Sequence, residues 1–317
     1  MRPIIAIFIL ILFAIGCNND DGKKYLRDVY LSYHSSTMAM SDTMQIALLF
    51  YPNRTNAGVP DQPVEWTSTD TTIVSIAPND TYTAILTARG IGEVTIKAKL
   101  GEFVTQTNIV VDVDNSVFNS HFLDLCLSYF DENNDGILQG TEICSVIGLD
   151  ATELSTTNDP ISFDGIELFT SLQTFKATHL IISKLDLSKN TNLTNIDISE
   201  SEIAELDISN NLEVRFLDCH ACPNLQHIIF ASSTKDKTNQ MRTINCQRCS
   251  LTSLDVSKCT LLEYLDCSQN QLTELDLSNN VLLRQLCCTG NNISSVKLWE
   301  DADTEYFTTD DGVSFIY

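Results

Sequence analysis

From Leu172 onward the chain repeats itself every twenty-one residues, and this period limits the possible folds more than any other feature. The clearest run reads LTSLDVSKCTL, LEYLDCSQNQ, LTELDLSNNVL, LRQLCCTGNN, ISSVKL. Each unit has the form Leu-x-x-Leu-x-(Leu/Val/Cys)-x-x-(Asn/Cys), and units of 11 and 10 residues alternate. Self-similarity at such a period marks a solenoid, in which one unit cannot bury its apolar face until a neighbour stacks on it. A stacked array offers one long continuous surface, which points to recognition rather than catalysis.

Units begin at Leu172, Ile182, Leu193, Ile203, Val214, Leu225, Met241, Leu251, Leu262, Leu272, Leu283 and Ile293. Within each, positions 1, 4 and 6 are apolar and are expected to point inward, while position 5 faces solvent because strand side chains alternate. ASSTKDKTNQ after Phe230 lengthens one unit by about five residues, and so polar a segment is expected to loop out without breaking the stack. The pattern closely resembles the leucine-rich repeat family in its bacterial form with nested units. The resemblance covers residues 165–298, with residues 299–317 as a C-terminal cap.

The N-terminus, MRPIIAIFILILFAIGC, combines Arg2 with an apolar stretch too short for a stable membrane span. Ala14-Ile15-Gly16-Cys17 resembles a bacterial lipobox, which implies a signal peptide over residues 1–16 and lipidation at Cys17; an ordinary secretory signal is the alternative. Asn18-Asn19-Asp20-Asp21, within a linker over residues 17–23, is similar to the acidic tag of surface lipoproteins in Bacteroidota. The net charge is −23, or −24 once Arg2 leaves with the leader. Phosphate repels so acidic a chain, which argues against nucleic acid and against direct binding to anionic membrane. Calcium, cationic partners and neutral glycans remain.

Residues 24–113 alternate apolar and polar in short runs such as MQIALLFYP, TIVSIAP and YTAILTARG, as a β-sandwich requires. The order of MQIALLFYP, Val64-Glu65-Trp66-Thr67-Ser68, Ile73-Val74-Ser75-Ile76 and Gly90-Ile91-Gly92-Glu93-Val94 resembles the group 2 bacterial Ig-like domain. That family implies a stalk, with Trp66 in the core. Asp42-Thr43-Met44 resembles a short O-glycosylation acceptor of Bacteroidota, but three residues read first as a plain turn.

Between sandwich and repeats, in a segment covering residues 114–164, lies DENNDGILQGTE, which fits the D-x-N-x-D-G-x5-E spacing of a calcium loop. Calcium takes six to eight oxygens in a flexible cage. Asp131, Asn133, Asp135 and Glu142 would supply side-chain oxygens, Ile137 its carbonyl, and Gln139 a direct or water-mediated contact, with Gly136 permitting the sharp turn. Leu123, Cys126, Leu127 and Phe130 mark a helix before the loop, and Ile143, Val146 and Ile147 one after it. A single EF-hand-like helix-loop-helix is expected, with calcium as the cofactor in a structural role. Ile161 to Phe169 would cap the first coil.

Of eleven cysteines, Cys219, Cys246, Cys267 and Cys288 fall at position 6, where a buried thiol stands in for leucine. Cys219-x-x-Cys222 and Cys246-x-x-Cys249 also carry zinc-knuckle spacing. Yet Cys222 and Cys249 occupy position 9 of successive coils, where other units carry asparagine, so the pair is a candidate disulfide as well as a pair of free thiols or zinc ligands. Position 5 carries two aspartate columns. Asp186, Asp207, Asp255 and Asp276 form the candidate binding stripe, and Asp197, Asp218 and Asp266 lie on the other flank. A local turn repeated by duplication explains the same pattern without a ligand.

The five histidines are scattered, and neither a phosphate loop nor a nucleophile motif is present, so no enzyme is expected. The fold class expected is mainly β with some α: sandwich, EF-hand-like segment and solenoid. With internalin-like adhesins as the resemblance, the chain reads as a monomeric lipoprotein anchored to the outer membrane by lipid alone and displayed at the cell surface. It would bind a protein or glycan ligand. The alternative is a cell-envelope scaffold that holds another envelope component.

Overall fold

The computed structural model describes residues 28–33, 35–51, 62–156 and 159–317. The expected signal peptide, Cys17 and the acidic linker lie outside them. The chain is mainly β, with few helices and a β-solenoid in its C-terminal half.

Two four-stranded sheets come first. One orders Asp28–Leu31, Thr43–Tyr51, Thr83–Ala88 and Val74–Asp80; the other orders Ser35–Ala39, Phe103–Asp112, Gly92–Leu100 and Glu65–Ser68. All pairings are antiparallel except that of Ser35–Ala39 with Phe103–Asp112. Alternate residues of Thr83–Ala88 and Gly92–Leu100 are buried, which follows from the two-residue period of a strand. Ile46, Leu48 and Leu86 of one sheet and Val94, Ile96 and Ile109 of the other share a single core. Trp66 packs against that core. Asp42 closes a turn through its N–H to the Ala39 carbonyl (3.1 Å) and its carboxylate to the Ala39 N–H (3.3 Å).

The last strand passes through a short 3-10 turn (Asn115–Val117) into helix α1 (Ser120–Phe130), where Asn119 caps the His121 and Phe122 N–H groups. Phe122, Leu125 and Cys126 are buried, with Leu123, Leu127 and Phe130 partly buried against the same core. Phe118, Phe122, Phe163, Phe169 and Phe175 form a chain of ring contacts with centroids 5.2–6.3 Å apart, closing the first coil of the solenoid. A solenoid end needs such a cover for the apolar face that no neighbour buries.

Helix α2 (Gly140–Cys144) is shorter than the sequence pattern suggested. Val146 is buried, but Ile147 is 59% exposed and its carbonyl accepts the Gln173 and Thr174 N–H groups at 2.8 and 3.0 Å. A residue whose carbonyl serves the neighbouring coil cannot also continue a helix. The chain therefore turns at once into the strand Gly148–Asp150, one coil ahead of residue 165.

From there a parallel sheet runs the length of the solenoid. Its strands are Gly148–Asp150, Thr174–Lys176, Asn195–Asp197, Phe216–Asp218, Thr243–Asn245, Tyr264–Asp266, Gln285–Cys287 and Phe307–Thr308. Pairing is in register without slips, so Leu149, Phe175, Ile196, Leu217, Ile244, Leu265 and Leu286 form one buried column. A second flank carries shorter parallel pairings, among them Glu205–Ile208 with His227–Phe230 and Leu275–Asp276 with Ser295–Lys297. Residues 299–317 continue both flanks, since Phe307–Thr308 and Ser314–Ile316 pair in parallel with the preceding coil.

Candidate binding face

Every inward position of the repeat fills the core, so function has to be sought in what the outward positions share. Position 5 of the long sheet aligns Asp150, Lys176, Asp197, Asp218, Asn245 and Asp266 on successive strands. Like charges facing across strands repel by some tenths of a kcal/mol per pair. The structure explains how the coil tolerates them. Asp197 accepts from the Ser199 N–H and hydroxyl at 3.1 and 2.7 Å, and Asp266 from those of Ser268 at 3.0 and 2.6 Å. Asp150 does the same with Thr152, and Asp218 accepts from the His220 N–H at 3.1 Å. One carboxylate oxygen per aspartate thus serves the turn two residues on, the Asx geometry natural to Asp-x-Ser.

The aspartates predicted as the binding stripe lie on the other flank and cap turns in the same way. Asp186, Asp207, Asp255 and Asp276 accept the N–H groups of Ser188, Ser209, Ser257 and Ser278 at 2.8–3.0 Å. They are not one continuous column: Ile229 pairs with Asp207, and Lys297 lies opposite Asp276 and bonds it at 2.9 Å. The long unit inserts an apolar residue at that position, which splits the stripe. Asp255 and Asp276 are brought together with Glu274 and Lys297 around a hollow of about 410 Å³. The Ser278 hydroxyl and N–H, together with Lys297, hold the Asp276 carboxyl at about 2, and Ser257 lowers that of Asp255.

The larger concavity, about 640 Å³, lies on the long sheet and spans five strands from Gly148 to Asn245. Asp150, Lys176, Asp197 and Asp218 line it, together with Phe216, a bulky apolar side chain left 46% exposed among small polar neighbours. Phe216 is at position 3, which the repeat pattern leaves unconstrained, so sequence periodicity carried no signal for it. Nor did it anticipate the histidines. His220 Nδ1 lies 2.7 Å from Asp218, and His179 Nε2 and His220 Nε2 lie 3.1 and 3.9 Å from the two oxygens of Glu200. His179, Glu200, Ala221, Arg248, Gln269 and Gly290 all adopt left-handed backbone at the same point of successive coils.

The loop over Asp131 to Glu142 is held by its own polar groups. Asp131 accepts the Gly136 and Asp135 N–H groups at 2.9 and 3.3 Å, Asn133 accepts the Asp135 N–H at 2.8 Å, and Asp135 accepts the Ile137 N–H at 2.8 Å. Gly136 has φ +79, the left-handed region that the bend needs. The Asn115 side chain bonds both backbone groups of Leu138 at 3.0 Å, and Asp112 accepts the Gly140 N–H at 2.9 Å, so the last sandwich strand and the turn after it brace the loop. A Cβ on Gly140 would lie 2.0 Å from Ile91, which makes this joint a close backbone approach. Glu142 places its oxygens on the Glu132 and Gln139 N–H groups at 2.9 and 2.8 Å, and the Gln139 amide bonds Asp135 at 2.9 Å. Among the described residues no group of three or more His, Cys, Asp or Glu side chains gathers closely enough to hold a metal ion, and that applies to this loop and to both Cys-x-x-Cys pairs.

Cys219, Cys246, Cys267 and Cys288 are buried in one column at position 6. Position 9 forms a second kind of ladder. Asn270 donates to the Cys246 and Cys267 carbonyls at 2.8 and 3.0 Å, and Asn291 to those of Cys267 and Cys288 at 3.0 Å. Cys222 and Cys249 are free thiols that take over this role, donating to the Ile198 and Cys219 carbonyls at 3.1 Å.

No protein-family model matches the chain, and no curated protein matches it. Among solved structures it is similar to the functional domain of InlJ from Listeria monocytogenes, which includes a cysteine ladder. That match has 22% identity, 53% of this chain, 48% of that one and a TM-score of 0.23. It is also similar to domains 4 and 5 of the S-layer protein SbsC (16% identity, 27% of this chain, 51% of that one, TM-score 0.23). The chain spans about half the length of these structures. Superposition this weak assigns no ligand or site to the chain.

Proposed function

We propose that this chain is a binding protein, not an enzyme, and that it presents the long sheet of its solenoid to a protein or glycan ligand. The observation that carries this reading is the 640 Å³ groove. There an exposed Phe216 sits beside Asp197, whose turn bonds use only one carboxylate oxygen, while the second oxygens of Asp150 and Asp218 face Lys176 (3.8 Å) and the Asn245 amide (3.3 Å). Exposed aromatics flanked by polar groups are the usual anchors of a recognition surface. In this reading Cys17 carries the lipid, the first two sheets act as an Ig-like stalk, and the protein faces outward from the outer membrane.

The donor chemistry of the EF-hand-like loop is that of calcium, since every candidate ligand is a hard oxygen and the bend is already formed. Binding would require its carboxylates to leave their backbone N–H partners and draw together around the ion. Asp131, Asn133, Asp135, Gln139 and Glu142 would hold the ion with the Ile137 carbonyl, and the bound charge would stiffen the joint between stalk and coil.

The test uses the full chain extracted in detergent, applied to a glycan array and to pull-downs from envelope and host-cell fractions. Phe216→Ala and the pair Asp197→Asn and Asp218→Asn should abolish capture of whatever is bound, while leaving the far-UV spectrum unchanged. Capture that survives all three changes would remove the groove from consideration. Protease shaving of intact cells separates display from an internal scaffold, because only a displayed solenoid is cut.

A further inference from the structure

Four cysteines meet where the long insertion interrupts the repeat. Cys219 and Cys222 lie on one coil, Cys246 and Cys249 on the next, and the insertion over residues 231–240 lies between them in sequence. Cys219 N–H to the Asn245 carbonyl (2.9 Å) and Ala221 N–H to the Gln247 carbonyl (2.8 Å) stack the two coils in step. Cys222 therefore lies directly over Cys249, at the rung spacing of about 4.8 Å. Disulfides join Cα atoms roughly 4.4–6.8 Å apart. The Cys249 thiol donates to the Cys219 carbonyl at 3.1 Å, which turns its sulfur toward the preceding coil. Cys219 instead faces Cys246, so a bond from Cys219 to Cys249 would run diagonally and pull a core sulfur out of its column.

We propose that Cys222 and Cys249 form a disulfide site that locks two successive coils across the insertion. Cys249, 8% exposed, is the sulfur an oxidant reaches first, whereas Cys222 is fully buried. The oxidant is a disulfide. Cys249 attacks one of its sulfurs and expels the other as a thiol; Cys222 then displaces the remaining half, which leaves as a second thiol. One S–S bond forms as one breaks, and both cysteine protons depart on the reduced oxidant.

To test this, the full chain is refolded with oxidised glutathione, alkylated, digested without reduction and mapped by mass spectrometry. The expected product is a peptide pair joined through Cys222 and Cys249. Closing a loop over residues 223–248 should raise the melting temperature by roughly 5 to 10 °C over the reduced form. Cys222→Asn should fold, because Asn270 and Asn291 fill the same position, and it should lose both the linkage and the shift. Cys219→Ala, with Ala177 as precedent in its column, should keep both. Alkylation of both cysteines after oxidation, a bond from Cys249 to Cys219, or an oxidant-dependent shift that persists in Cys222→Asn would each overturn the proposal.

Discussion

Replacing Asn270 by alanine should destabilise the solenoid more than the same change at Asn280, although Asn280 is the more deeply buried of the two. Both side chains bridge coils. Asn280 donates to the Val256 and Cys259 carbonyls at 2.9 Å, but its own oxygen has no partner. Asn270 donates to the Cys246 and Cys267 carbonyls, and its oxygen also accepts the buried Leu251 N–H at 3.0 Å. A hydrogen bond is worth about 1 kcal/mol net, and a buried polar group left without a partner costs about 1–3 kcal/mol. Truncating Asn280 loses two bonds but also removes an orphaned acceptor, so the two effects nearly cancel, to within about 1 kcal/mol. Truncating Asn270 loses the bridge and strands the Leu251 N–H, for about 3–4 kcal/mol. Urea unfolding at unchanged m-value measures the difference. If Asn280→Ala proved the costlier change, burial rather than hydrogen-bond satisfaction would govern the ladder.

Other outcomes follow from the same geometry. Asp276 is held at about 2 against an ordinary 3.8, chiefly by Ser278, so its contribution to stability is present above pH 4 and disappears as pH falls towards 2. Thermal melts over that interval should steepen in the wild type and flatten in Asp276→Asn. Calcium should raise the melting temperature and protease resistance of the full chain, and Glu142→Gln should remove that response; a chelator without effect would count against the loop as a calcium site. Phe216→Ala should leave the melting temperature within about 1–2 °C, because the ring is nearly half exposed and little burial is lost, while ligand capture fails.

The solenoid was legible because its period is set by what must be buried. Leu217, Ile244 and Leu265 recur where the inner column needs them. The ends were not. Val146, Leu149 and Ala151 keep the inward positions of a coil, but the unit lacks the asparagine that marks the others. A preceding helical pattern therefore claimed Val146 and Ile147. Periodicity placed the position-5 aspartates on two flanks, but it could not reveal that Ile229 splits one set or that the larger groove opens on the other flank.

Sequence by itself therefore determined which side chains face inward, since burial selects for residue type at every turn of the repeat. It also determined that Asp-x-Ser would form turns, because that bond spans only two residues. Tertiary structure alone decided what the outward positions meet across coils: Glu200 between His179 and His220, and Phe216 exposed beside Asp197 and Asp218. The outward positions carry no packing constraint, so nothing in their spacing reveals their neighbours until the coils are stacked in register.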